Sequence, residues 1–328
     1  MSDIKLKDVL KYEHSFCVLP FLHKHIDLNN KQKVCCYSSD QIDERRLVEI
    51  RESMLNNETV PECIKCTKQE QLKTFSERQL LTREYMRRYP EFNYDEPEEL
   101  SYDLRYSNLC NLRCEMCDAT SSSEWARYLG QEEVYKTVEP ESIEINPNVK
   151  RMYLAGGEPF MIKSFSRMLE NIENKDCEIV INTNATILTN HMMSALEPFT
   201  NVCFVLSIDG TGETIERIRT LCSWDIINSN IDVLRNTLNP NFMVNTVVQK
   251  GNIDNIPELA QWIDQQGIDT WHTAICMDPD EFHYKHYTGT VNWSDELWNS
   301  NCLKRSIQAT NTLKKVYDDL CVNPLTLS

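Results

Sequence analysis

Six short strand-like runs recur between residues 101 and 276, and helical stretches separate most of them. The runs are "SYDLRYS" from 101, "RMYLA" from 151, "EIVINTN" from 178, "VCFVLSIDG" from 202, "FMVNTVV" from 242 and "DTWHTAI" from 269. Between them, "SFSRMLENIEN", "HMMSALEPF" and "WDIINSNIDVLRNTL" read as helices. The stretch from about Ile256 to Gln266 does so too, because Ile256, Leu259, Ala260 and Ile263 recur at helical spacing behind a first-turn Pro257. Strands alternating with helices build parallel β/α units joined by right-handed crossovers. Such sheets place their chemistry in the loops at the carboxyl ends of the strands.

The first of those loops holds "SNLCNLRCEMCDAT", with Cys110, Cys114 and Cys117 spaced C-x3-C-x2-C. A disulfide joins two sulfurs and would leave one over. Clustered cysteines in a reducing compartment point to metal instead. A structural zinc site wants four ligands, and four-iron clusters usually take four cysteines. With three, one iron keeps an open position for a ligand. Zinc with a remote fourth ligand such as Asp118 is the competing reading of the spacing alone.

Composition narrows the class. The chain has 328 residues, 41% of them hydrophobic, which suits about two domains with a sizeable core. Its formal net charge of -16 argues against nucleic acid, which needs a basic face to displace counterions from phosphate. The start "MSDIKLKDVLKYEHSF" lacks the apolar stretch of a signal peptide, and no run reaches the ~20 apolar residues of a membrane helix. A cytoplasmic protein with no membrane partner is expected. Of the fourteen cysteines, Cys17, Cys35, Cys36, Cys63 and Cys66 form a second group, and the rest are scattered. Cys203, inside "VCFVLSI", reads as a small buried hydrophobe.

Other strand ends add motifs. "YLAGGEP" sets Gly156, Gly157 and Glu158 past the second run, where paired glycines allow backbone to approach a ligand closely. "SIDG" sets Ser207, Asp209 and Gly210 past the fourth. With the three-cysteine loop, these motifs resemble the radical S-adenosylmethionine (radical SAM) superfamily over about residues 101–276. The resemblance implies a partial (β/α)6 radical SAM barrel, an α/β fold, in which Cys110, Cys114 and Cys117 hold a 4Fe-4S cluster and S-adenosyl-L-methionine binds its open iron. It implies that Gly156, Gly157 and Glu158 meet the SAM amino group, that Asn182 and Asn184 contact the ribose, and that Ser207 and Asp209 add polar contacts. Asp209 has the competing role of a cap for the next helix. "SIDGTGETIERIRTLCSW" is similar to the "SIDG…E…D..R" stretch of peptide-modifying members. Glu216 stands in its acidic place and Arg219 in its arginine place, where a guanidinium pairs the SAM carboxylate. Ile215 and Thr220 replace that subfamily's usual histidine and glycine.

Upstream, "FCVLPFLHKHIDLNNKQKVCCYS" and "VPECIKC" resemble the SPASM or twitch extension of such enzymes. The resemblance implies a second, auxiliary 4Fe-4S cluster on Cys17, Cys35 or Cys36, Cys63 and Cys66. Cys35 is favoured of the pair because adjacent side chains in an extended stretch diverge. Here the extension precedes the barrel instead of following it, and it offers four ligands, not seven; structural zinc is the alternative. His14, His23 and His25 read as surface or core residues. Cys276 ends the sixth strand and so aims near the substrate; it would donate a hydrogen atom to a substrate radical, or be a packed thiol.

The chain thus divides into an auxiliary-cluster module (1–66), a helix and acidic linker (67–100), the barrel (101–276) and a C-terminal loop and helix (277–328). Residues 67–88 read as one helix with Leu72, Phe75, Leu80 and Met86 on one side, and "YPEFNYDEPEEL" as a linker. The implied activity is modification of a peptide or protein, with a small-molecule dehydrogenase or rearrangement enzyme as the alternative, and an electron donor such as flavodoxin or ferredoxin as partner. A non-catalytic iron–sulfur protein would not need the glycine and SIDG motifs.

Overall fold

In the computed structural model the described residues are 6–11, 14–38, 40–71, 76–135, 143–276 and 286–292. Eleven strands are found among them: β1 (His23–Ile26), β2 (Gln32–Lys33), β3 (Ser101–Arg105), β4 (Arg113–Cys114), β5 (Arg151–Ala155), β6 (Glu178–Thr183), β7 (Val202–Ser207), β8 (Arg219–Thr220), β9 (Asn241–Val248), β10 (Thr270–Cys276) and β11 (His286–Asn292). Nine make one sheet in the order β11-β10-β9-β7-β6-β5-β3-β1-β2, while β4 and β8 pair apart from it. The six strands from β3 to β10 in that sheet are the six read from the sequence, and they pair with one another in parallel throughout, while β11 adds to β10 antiparallel.

Period-two alternation gives the sheet two faces. Ile179, Ile181, Phe204, Leu206 and Val244 face the helices in the main core. Burying each such side chain stabilises the fold by about 1.5–3 kcal/mol. The helix Trp224–Leu238 covers this face with Ile227, Ile231 and Leu234, and Ile256–Gln265 does so with the four residues expected of it. The opposite face carries Tyr153, Val180, Cys203, Val205 and Met243, a smaller apolar cluster that includes Cys203 as a buried hydrophobe.

The N-terminal cysteine module is part of the same sheet. Strand β1 runs parallel to β3, with His23 opposite Ser101 and His25 opposite Asp103, so the boundary at residue 66 does not fall at a break in the sheet. Both histidines are held by those partners: His23 Nδ1 lies 3.0 Å from Ser101 Oγ, and His25 Nδ1 lies 3.0 Å from Asp103 Oδ2. His14 Nδ1 accepts from Phe16 N.

Two expectations upstream of the barrel are corrected. Residues 64–88 hold two helices, Ile64–Gln71 and Glu77–Arg88, and a Ser76–Gln79 capping box starts the second. Its buried face is Arg78, Gln79, Thr82 and Tyr85, not the apolar stripe: Arg78 and Gln79 donate to carbonyls of the segment 9–16, Thr82 accepts from Val18 N, and Tyr85 bonds Ser101. Leu72 and Phe75 lie outside the described residues. The acidic stretch from 89 is no free linker either. Phe92 and Tyr94 pack on the module's core, and Glu98 N and Leu100 N donate to Phe21 O and Leu22 O. The expected helix near residues 295–319 lies outside the described residues.

Candidate functional site

The three-cysteine loop leaves β3 and is clamped by backbone. Gly157 N donates to Ser107 O at 2.8 Å, and Glu158 N donates to Leu109 O at 2.7 Å. This contact explains the paired glycines. A Cβ on Gly156 would sit 2.5 Å from Ser107 O, and one on Gly157 would sit 2.1 Å from Leu109 O. What approaches them is the chain's own cysteine loop.

A short helix absent from the sequence reading, Ser123–Leu129, holds the loop from the other side. Ser123 Oγ accepts from Cys110 N at 3.0 Å, Ser122 Oγ donates to Leu112 O at 2.7 Å, and Trp125 Nε1 donates to Cys114 O at 2.8 Å. Ser122 as N-cap ahead of "SEWARYL" was the legible signal. Asp118, the candidate fourth zinc ligand, spends its Oδ1 on Thr120 and Ser121 within its own turn.

These constraints gather the three thiols with Leu112, Met116 and Ile218 into one cluster. Cys110 and Cys114 are buried and Cys117 half-buried. Burial pushes the Cys110 thiol up to about 12. Contact with Cys117, then burial, pushes Cys114 well above its ordinary value. Three close thiols, of which Cys110 and Cys114 resist ionising alone, are a donor set that a cluster's positive irons would turn to thiolates. No three His, Cys, Asp or Glu groups among the described residues converge on a single metal ion. A four-iron cluster asks instead for one thiolate on each liganded iron.

The other predicted residues surround the loop but are largely engaged with protein. Glu158 is fully buried and accepts from Thr183 Oγ1 (2.7 Å), Asn184 N (2.8 Å) and Phe160 N (3.2 Å). Burial raises its carboxyl to about 7 despite those bonds. Its side chain therefore brackets β5 to β6 instead of pointing at an open amine site. The Asn184 side chain joins Asn111 (3.0 Å) and Thr186, tying the cysteine loop to the end of β6; neither partner was singled out from sequence. Asn182 and Ser207 meet across adjacent strand ends at 3.4 Å.

Asp209 does not cap a helix. Its Oδ1 accepts from Val247 N at 2.7 Å, and its Oδ2 lies 2.7 Å from Arg219 Nε. Arg219, expected to face a SAM carboxylate, is buried between Asp209 and Cys114. Burial opposes its charge, but Asp209 and the thiols of Cys114 and Cys117 hold it cationic. Glu216 is exposed and accepts from Trp224 N at 2.8 Å, so the structure does not bring it to the loop. Cys276 closes β10 opposite His286 of β11, at the carboxyl end of its strand.

In the N-terminal module, Cys17, Cys35, Cys63 and Cys66 line one small cavity, with Arg78, Glu62 and Glu77 at its walls. Burial lifts Cys17 and Cys35 to about 12 and raises Cys63 and Cys66, and neighbouring thiols add to the rise at Cys17, Cys35 and Cys63. Cys36 is exposed and is not among the residues that line this cavity.

A sequence model of the Radical SAM superfamily matches residues 104–263, the stretch that carries the clamp and the ordered strand ends. This stretch is similar to radical SAM domains. Curated relatives include the tungsten-containing aldehyde ferredoxin oxidoreductase cofactor-modifying protein of Pyrococcus furiosus, 25% identical over 206 residues, which are 58% of this chain and 55% of that protein. The AdoMet-dependent heme synthase of Methanosarcina barkeri is 26% identical over 197 residues, 57% of this chain and 55% of its own. The chain spans about half the length of the curated relatives it matches. The solved structure of native anSMEcpe with bound AdoMet superposes with a TM-score of 0.46 at 16% identity, covering 67% of this chain and 61% of that one. Among the described residues, no helix is long and apolar enough to cross a membrane.

Proposed function

We propose that this chain is a radical SAM enzyme with two iron–sulfur sites, one on Cys110, Cys114 and Cys117 and an auxiliary one on Cys17, Cys35, Cys63 and Cys66. The observation that carries it is the clamped loop: backbone bonds from Gly157 and Glu158 fix three thiols at the carboxyl end of a parallel sheet. Cys110, Cys114 and Cys117 would hold a four-iron cluster, which would supply the one-electron reductive cleavage of SAM to methionine and a 5'-deoxyadenosyl radical able to take hydrogen from a substrate. The chain's own part is to hold the thiols, exclude water and orient the substrate. Asn182 and Ser207 are left as polar groups for the co-substrate, and Cys276 as a thiol at the strand end.

The substrate class proposed is a peptide or protein, supported by the resemblance of residues 207–219 to peptide-modifying members and by the auxiliary cysteines. A small-molecule substrate is the second reading, favoured by the names of two curated relatives, a heme synthase and a GTP 3',8-cyclase. An external electron donor of the flavodoxin or ferredoxin kind would supply the reducing equivalent.

Anaerobic reconstitution followed by metal analysis tests the two-site reading. The native chain is expected to hold about eight irons, and the Cys110→Ala, Cys114→Ala, Cys117→Ala triple variant about four. Zinc in the N-terminal site, or a triple variant that keeps all its iron, would contradict it.

A further inference from the structure

Arg219 is the buried cation of the cysteine loop, and its surroundings suit a role other than gripping a co-substrate. In the β4–β8 ladder Cys114 stands directly opposite Arg219. Arg219 Nη1 points at Cys114 Sγ at 3.8 Å, while its Nε lies 2.7 Å from Asp209 Oδ2. Asp209 is fully buried and anchored by Val247 N, so it cannot swing away to release the guanidinium. The Nε and Oδ2 atoms meet without hydrogen-bond alignment, which makes this contact coulombic and leaves the other edge of the fork turned to sulfur. Arg217, two residues earlier, is exposed and bonds Glu115 and the Gly251 carbonyl instead.

We propose that Arg219 is a positioning residue that donates a charge-assisted hydrogen bond to the Cys114 sulfur, stabilising the reduced state of the cluster held there, with Asp209 setting how much of its charge the cluster feels. The inference rests on the reading of Cys110, Cys114 and Cys117 as cluster ligands. Hydrogen bonds to ligand sulfurs and nearby charge are established determinants of cluster potential. Reduction adds one negative charge, which a cation beside a ligand sulfur favours. Removing that cation disfavours reduction, and removing its carboxylate partner does the reverse.

The test is a redox titration followed by electron paramagnetic resonance on the reconstituted full chain without SAM. The signal followed is the one that the Cys110, Cys114, Cys117 triple Ala variant lacks. At the poise where the native site is half reduced, Arg219→Gln should lower its reduced-to-oxidised ratio about tenfold, equivalent to about 59 mV for one electron. Asp209→Asn should raise the ratio at the same poise. A role confined to bracing the loop would move both variants in the same direction, and that result would overturn the proposal. So would a native ratio in both variants, including one accompanied by weakened SAM binding in Arg219→Gln, which would return the residue to the co-substrate carboxylate. If the native chain bears no iron at the three cysteines, that is visible before any titration, and it overturns the cluster reading along with this inference.

Discussion

Gly157→Ala should leave the chain unable to hold its cysteine loop, with a loss of stability above ~4 kcal/mol, a size that marks severe core disruption. The added Cβ would lie 2.1 Å from Leu109 O, 2.5 Å from Leu109 C and 2.7 Å from Asn108 C. All three are backbone atoms, so no side-chain rotation relieves the clash. The loop must move, and moving it breaks the bonds from Gly157 N and Glu158 N that place Cys110. Gly130 is the control: its φ is +66° and a Cβ there meets nothing within 4 Å. Gly130→Ala should therefore cost only the strain of a left-handed residue, about 1–2 kcal/mol. Urea unfolding of both variants distinguishes the cases; equal midpoints would show that the clamp is not rigid.

Arg78→Ala should destabilise by about 3–5 kcal/mol, as expected when a buried ion pair loses one partner. Arg78 Nε and Nη2 donate to the two oxygens of Glu70 at 2.7 and 2.8 Å, and Nη1 donates to Val9 O and Phe16 O. Both side chains are nearly fully buried, so the variant strands a carboxylate and two carbonyls at once. Arg78 also lines the cavity of Cys17, Cys35, Cys63 and Cys66, so iron should fall at that site and stay at Cys110, Cys114 and Cys117. A single lysine point charge cannot reproduce the fork, and Arg78→Lys should recover only part of the loss. Full iron at both sites in Arg78→Ala would contradict this role.

The parallel sheet was legible in the sequence because its strands and helices carry their own periodicities. "RMYLA" is β5 to the residue, and "WDIINSNIDVLRNTL" is the helix Trp224–Leu238. The three-cysteine loop was legible because thiol spacing is a local signal. What sequence could not show is which polar side chains are spent on the protein. Glu158, Asn184 and Arg219 stand in motif positions, but their partners lie 25 or more residues away, at Thr183, Asn111 and Cys114. A motif names a residue type at a place, and only the fold decides what its side chain meets. The buried face of Glu77–Arg88 was misread for a similar reason: hydropathy patterning ranks Leu80 above Arg78, yet orphan carbonyls from a distant segment draw the arginine inward. The joining of β1 to β3 had no local signature, since a four-residue strand carries too few residues to show a period.

Formation of 5'-deoxyadenosine tests the central claim most directly. The anaerobically reconstituted chain, given dithionite and SAM and no substrate, should convert SAM slowly to 5'-deoxyadenosine and methionine, with chromatography as the readout. The Cys110, Cys114, Cys117 triple Ala variant, loaded at its N-terminal site alone, should form none above the rate of dithionite and SAM without protein. An iron-replete native chain that forms no 5'-deoxyadenosine, or a triple variant that forms as much as the native chain, would contradict the assignment of radical SAM chemistry to this loop.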